Sequence, residues 1–318
     1  MNLTLNETFL AVFSGLALMS ILATGIGQWA ASRTLDAARL TRLAVLNSRI
    51  RATWSVLAVF TIAFAIGTEA LLVVFALASF FALREFVSLT PIKASDHWAL
   101  VIAFYLVIPL QYLLLGFGRN SPFSVLIPVY IFLLLPIIVA IKQDNDRFLE
   151  RVAKLQWGLM ISVYCISHAP AIALLQIKGY EGRGPLLLLF FMAVLYVTEV
   201  AQTGLSAALG GRSLRSNPNK TVQGVFAGAA VGALIGTALW WLTPFLWWQA
   251  LLMSLVIVGT SYLGTVVLAA VKASLGAKSW DTEFDLTRGV LERLDGLTFA
   301  APLFWMITRY FWVIRVDV

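Results

Sequence analysis

Residues 245–271 read FLWWQALLMSLVIVGTSYLGTVVLAAV, and the segment that follows, 272–295, reads KASLGAKSWDTEFDLTRGVLERLD. The first stretch carries no charged side chain over a length exceeding the roughly twenty residues a helix needs to cross a hydrocarbon core about 30 Å thick. The second gathers four cations and five acids. In a chain of 318 residues that is 60% hydrophobic and only 12% charged, such a gathering marks where chemistry is to be sought.

The same reading extends outward. A mean hydropathy of +0.87 comes from apolar runs near 8–29, 52–67, 69–86, 97–117, 122–141, 153–177, 185–208, 222–243, 245–271 and 296–314. These predict an all-α fold, a polytopic transmembrane helical bundle of about ten spans, with a polar cavity open to the cytoplasmic face. Only Gly67-Thr68-Glu69 separates the second run from the third. The expected division is 1–68 for the N-terminal spans and a basic linker, 69–183 for a central bundle, and 184–318 for a C-terminal membrane domain holding the polar motifs. The segment Met1 to Thr8 has no cation ahead of the first run, so that run reads as an anchor and not as a cleaved signal.

Alternating the loops places Arg33, Arg39, Arg42, Arg49, Arg51, Arg84, Lys93 and the cations at 142–154, 212–220 and 272–293 on one side, 18 of the 23 in all. Cytoplasmic loops hold the excess of Lys and Arg, so the 272–295 loop is expected inside and both chain ends outside. Between Ser32 and Arg51, cations alternate with leucines, the pattern of an amphipathic helix on the inner leaflet. The net charge of +7 is then topology plus attraction to anionic headgroups, and the scattered basic residues do not describe a nucleic-acid surface. Cys165 stands alone, which excludes a disulfide framework. Trp240, Trp241, Trp247 and Trp248 flank a short turn as an interfacial belt.

Three groups of residues are candidates for chemistry. Gly210 to Gly224 forms a Gly/Pro-punctuated loop in which Arg212, Asn217, Lys220 and Thr221 lead into an apolar run, a phosphate cradle in outline, although the spacing is not that of a Walker A loop. Glu199 lies inside an apolar run, where an acid needs a partner or a cavity. Lys272 and Lys278 precede Glu292, Arg293 and Asp295, and the two acids, three apart, are expected on one helical face. Carboxylates near cations at that spacing suit a divalent ion beside a polyphosphate. His168, ahead of Pro170, reads as a packing residue, since no second histidine is near enough for a metal site.

With these residues in view, the segment 198–312 resembles the phosphatidate cytidylyltransferases, also called CDP-diacylglycerol synthases. The family's Ser-Pro-x-Lys-Thr-x-Glu-Gly stretch corresponds to Asn217–Gly224, and its Gly-Asp, Lys-Arg, Lys-Asp, His-Gly-Gly and Asp-Arg-x-Asp motifs align without a gap from Gly264 to Asp295. Phe81 to Phe86, Val107 to Tyr112 and Ser167-His168-Ala169 extend the likeness upstream. Departures are equally visible: Thr265, Gln223, Ala273, Ser279 and Thr287 replace polar or charged family residues, Glu292 replaces an Asp, and Glu199 stands near another Asp.

The resemblance implies attack by the phosphate of phosphatidate, or a related anionic lipid phosphate, on the α-phosphorus of CTP. Lys272, Lys278, Arg293 and Asp295 would be catalytic, Arg212, Asn217, Lys220, Thr221 and Gly224 would bind substrate, and Glu199, Glu292 and Asp295 would hold Mg²⁺. Thr265 takes the place of a family metal ligand, and Asp281, Glu283 and Asp285 either re-form a metal site or stand as solvated charge, the second being the preferred reading. A catalytically degenerate member acting as a lipid-binding or assembly partner is the rival expectation, and a transporter fits poorly because the polar residues gather at one face. The expected location is the bacterial inner membrane, and a homodimer is left open.

Overall fold

A computed structural model describes residues 66–90, 93, 96–141, 144, 146–214, 217–276 and 289–314, with single positions between 13 and 63. The runs expected near 8–29 and 52–67 and the amphipathic segment 32–51 lie for the most part outside the described residues, as do Lys278, Ser279, Asp281, Glu283, Asp285 and Thr287 entirely.

Every apolar run from 69 onward is helical. In chain order the helices are α1 (Thr68–Ser88), α2 (His97–Gly116), α3 (Asn120–Ala140), α4 (Phe148–Ala173), α5 (Gly184–Leu209), α6 (Val222–Ala238), α7 (Trp247–Ser274), the single turn α8 (Val290–Arg293), and α9 (Asp295–Thr308), which continues as a wider turn to Ile314. Among the described residues there is no strand, only one isolated bridge between Ser213 and Thr221. Among the described residues five helices, α1, α2, α3, α5 and α7, are long and apolar enough to cross a membrane. The run expected at 222–243 is shorter than foreseen. Its helix ends at Ala238, and Trp240–Leu242 form a tight turn before α7.

Proline shapes three of these helices. Pro109, Pro128 and Pro170 each lie in or just after a π-helical stretch, at Ala103–Val107, Leu126–Ile131 and Met160–Cys165. A proline ring lacks the N–H and collides with the carbonyl one turn back, and widening the turn relieves both problems. In the C-terminal part of α4, His168 is fully buried, its Nδ1 2.7 Å from the Tyr164 carbonyl oxygen, with the rings of Phe123, Tyr164 and Trp305 around it. It packs, as its isolation in the sequence implies.

The C-terminal half is organised by small residues. Gly224, Gly228, Gly232 and Gly236 recur every fourth position of α6, and each faces a residue of α5 that recurs the same way: Ser206, Gln202, Thr198 and Val194. The order is reversed, so the two helices run antiparallel in close contact. A methyl group on Gly228 would lie 2.4 Å from the backbone nitrogen of Gln202, and one on Gly232 would lie 1.9 Å from Thr198 Oγ1. Between helices in an apolar medium, backbone approach of this kind is a main source of association. Gly236 also meets Ser254 of α7, and Gly296 of α9 meets Ser261 of α7, so α5, α6, α7 and α9 form one tightly packed unit. At the far end of that unit Phe245 packs on Phe304 and Trp312.

On the other half, Arg151 ties two loops together. Its guanidinium donates to Asp96 at 2.9 and 3.2 Å and pairs with Asp144 at 3.0 Å, while Lys93 reaches Asp146 at 2.6 Å. The Lys93 hydrogen bond and charge hold the Asp146 carboxyl below its usual range, although both groups are solvated and the pair contributes little to stability.

Candidate active site

The site grows from the junction of α5, α7 and α9. A side chain on Gly296 would touch Ser261 Oγ at 2.4 Å and Leu195 Cδ2 at 4.0 Å, so these three helices meet at Leu195, Ser261 and Gly296. Glu199 and Thr265 each lie one turn further along their helices, about 6 Å of rise. The two helices run in the same direction, because α6 is antiparallel to α5 and joins α7 by a short turn. Asp295 immediately precedes Gly296, and its carbonyl would lie 3.2 Å from a methyl on Gly264. Residues more than ninety positions apart thus share one end of the packed unit.

Glu199 finds its partner across the α5–α6 loop. Lys220 Nζ lies 2.6 Å from Glu199 Oε2 and 2.9 Å from Gln202 Oε1. The Lys220 side chain is only 4% exposed and that of Glu199 27%, so the pair spans the boundary between protein interior and solvent. The loop delivers the ammonium to this place. Gly210 and Gly211 have φ of 67° and 102°, which stops α5 at Leu209, and a side chain on Gly211 would strike Gln223. The chain then turns back as a hairpin, Leu214 N donating to the Lys220 carbonyl and Val222 N to that of Arg212. Asn217 Oδ1 accepts from Asn219 N, and the Asn217 carbonyl accepts from Lys220 N. Thr221 caps α6, its Oγ1 accepting from Gly224 N at 3.2 Å while its own N donates to Ser206 Oγ at 2.9 Å. Asn217, Thr221 and Gly224 therefore build the loop.

Two expectations are corrected here. The Lys220 ammonium turns inward to the α5 acid, and the amides of Leu214, Asn219, Lys220, Thr221, Val222 and Gly224 are used internally, so none of these faces a ligand as a cradle would require; Arg212 is exposed, and Arg215 lies outside the described residues. Glu292 and Asp295 do not lie on one helical face either. Glu292 belongs to α8, which ends at Arg293, and Leu294 bends the chain before α9 begins at Asp295. That turn starts from Gly289 in a left-handed conformation, φ 67°, ψ 39°. Arg293 is exposed, Glu292 and Lys272 are half-buried, and Lys278 lies outside the described residues.

The donor set was weighed against a divalent cation. Thr265 Oγ1 donates to the Ser261 carbonyl at 3.1 Å, Asp295 Oδ1 accepts from Gly296 N at 2.6 Å, and Glu199 is paired with an ammonium. Among the described residues no three His, Cys, Asp or Glu side chains gather closely enough to hold a metal. Among the described residues Glu199, Glu292 and Asp295 are thus not gathered as a ready-made set, and Thr265 on α7 offers a hydroxyl and not a carboxylate. Asp281, Glu283 and Asp285 lie outside the described residues.

The profile of the cytidylyltransferase family matches residues 47–311, and the chain belongs to that family. It is 33% identical over 267 residues to an uncharacterised protein, YnbB, of Escherichia coli (strain K12), covering 82% of this chain and 87% of that one. Over 151 residues it is 34% identical to the phosphatidate cytidylyltransferases of Brucella suis biovar 1 (strain 1330) and Brucella abortus biovar 1 (strain 9-941). The match to these enzymes covers 44% of this chain and 53% of each of theirs, so about half of their length is spanned.

The sequence places Glu199 and Lys220 in one polar group without specifying their ion pair or that Gln202 is the second acceptor for the ammonium. The signal was present: Gln202 follows Glu199 by three positions, on the same helical face.

Proposed function

We propose that the chain is a CTP-dependent lipid nucleotidyltransferase. A phosphate oxygen of phosphatidate, or of a related lipid phosphate, attacks the α-phosphorus of CTP. A new P–O bond forms to the lipid phosphate, the bond from the α-phosphorus to the bridging oxygen breaks, and pyrophosphate leaves with its electron pair. The nucleophile is already anionic, so no strong base is needed, and the work falls on positioning and on charge. Lys272, Arg293 and Lys278 screen the polyphosphate, and Asp295 belongs to the same group of site residues. Lys220 holds Glu199 and keeps the α5–α6 loop in place. Mg²⁺ stays in the proposal as a cofactor, and no step is assigned to it.

The observation that carries this reading is the convergence of Glu199, Lys220, Gly264 and Asp295 at one end of α5, α7 and α9 in a member of this family. Binding tests it without turnover. Equilibrium dialysis of purified protein with labelled CTP should show saturable binding, weakened about tenfold by Arg293→Met through loss of one charge-assisted contact. Absence of saturable CTP binding would remove the nucleotide from the account.

A second reading rests on a specific feature, the Thr265 hydroxyl bonded back to its own helix where family members carry a carboxylate. On that reading the chain keeps the fold and binds lipid or a partner without transfer. Thr265→Asp separates the two. It should raise Mg²⁺-dependent CDP-lipid formation if the site is a weakened catalyst, and leave it at zero if the remaining machinery is gone.

Use of cytosolic CTP also requires the loop after α7 to face the cytoplasm. Single cysteines placed between Ala273 and Leu291 in a Cys165→Ala background should react with an impermeant maleimide only after the membrane is opened. Reaction in intact cells would reverse the orientation.

A further inference from the structure

Glu85 is an acid at the cytoplasm-directed end of α1 as oriented above, and nothing in the proposed chemistry uses it. It is 5% exposed, on a helix whose neighbouring Phe86 and Leu83 are buried and locked against Gly158 of α4, where an added methyl would lie 2.8 Å from the Phe86 ring. Its Oε2 accepts a hydrogen bond from the backbone N of Leu291 at 2.9 Å, across 206 positions of sequence. Leu291 itself is fully buried, with its side chain in the apolar core.

The segment held this way is α8, a single turn. It starts from the left-handed Gly289 and ends at the bend of Leu294. One turn of helix has no cooperativity of its own, since fixing its dihedrals is offset by only one or two internal hydrogen bonds. Its place is therefore set from outside, by the Leu291 side chain and by the carboxylate on the Leu291 N–H. A buried amide deprived of its acceptor meets no water in compensation, whereas a carboxylate offers it a charge-assisted bond. What this turn carries is Glu292 and Arg293, and directly after the bend come Asp295 and Gly296, the residues that meet α5 and α7.

We propose that Glu85 is a positioning residue, a fixed acceptor on α1 that sets the place of the Glu292–Asp295 segment and through it of Arg293 and Asp295. This rests on the reading of those two residues as parts of the nucleotidyltransferase site. The role asks first for an acceptor at this place, so Glu85→Gln, whose amide oxygen can occupy it, retains most of it, and Glu85→Ala loses it.

Hydrogen exchange and turnover on the full-length protein in nanodiscs test this together. In Glu85→Ala, amides of 289–296 should exchange about tenfold faster or more, while those of the buried stretch 186–191 in α5 stay unchanged. CDP-lipid formation should fall about tenfold or more, as expected when a reacting group is misplaced by an ångström. Glu85→Gln should restore both to near the starting values. Unchanged exchange at 289–296 in Glu85→Ala overturns the anchor. A rise everywhere makes Glu85 an ordinary packing residue and overturns it as well, as does faster local exchange with full turnover. If the unmodified protein forms no CDP-lipid, the functional reading falls separately, and exchange in the three proteins alone decides whether Glu85 places the segment.

Discussion

Replacing Lys220 by Met should destabilise the protein by about 2–3 kcal/mol, below the roughly 3–5 kcal/mol for removing one partner of a fully buried ion pair. The discount comes from Glu199, whose side chain is 27% exposed against 4% for Lys220, so water recovers part of its solvation. The replacement has nearly the same length, which isolates the charge. Glu199→Gln alone should cost less, because an amide oxygen still accepts from the ammonium. The double variant, Lys220→Met with Glu199→Gln, should recover most of the loss, since no charge is then left inside. Thermal unfolding in detergent measures all four proteins, and a Lys220→Met curve that coincides with the unmodified one would show that the pair does not hold the loop.

The glycine row of α6 should give an effect at least as large. With Gly228→Ala, the new methyl has to displace the Gln202 backbone, from which it would stand 2.4 Å at the nitrogen and 2.6 Å at Cα. A backbone does not yield as a flexible side chain does, so the cost should reach or exceed the roughly 1–3 kcal/mol of ordinary overpacking, and Gly228→Leu should leave no folded protein. Gly259 of α7 provides the control. Nothing lies within 4 Å of its added methyl, so Gly259→Ala should be neutral or gain up to about 0.5–1 kcal/mol from helix propensity. Equal tolerance at 228 and 259, read as the yield of monodisperse protein, would contradict the close α5–α6 packing.

The helices from α1 onward were legible because apolar runs of membrane length are hard to mistake, and two of the polar outliers among them, Glu199 and Lys220, meet in the structure. Glu199 and Lys220 stood out for different reasons, one as an acid within a span and the other as a cation after a Gly/Pro loop. Their contact depended on how far Gly210 and Gly211 turn the chain, which no residue type states. The expected common face of Glu292 and Asp295 failed for a related reason. The break falls at Leu294, a residue with no breaking tendency, and is imposed by the packing of Leu291 and Gly296 on either side of it. The α6 glycines, four at four-residue spacing, were not singled out from the sequence, and their role shows only once α5 is packed against them. Nor was Glu85, because its acceptor role exists only once a segment 206 positions away is folded beside it.

Nucleotidyl transfer to a lipid phosphate leaves two products that a single assay can count. Purified protein is incubated with phosphatidate, Mg²⁺ and CTP labelled at the α-phosphorus, and lipid-extractable label and released pyrophosphate are counted together. The account predicts equal amounts of labelled CDP-lipid and pyrophosphate from the unmodified chain, reduced about 10²–10³-fold by Asp295→Asn in protein that keeps its unfolding temperature. No labelled lipid from well-folded protein, with no saturable CTP binding under the same conditions, would contradict it and leave the binding-partner reading in its place.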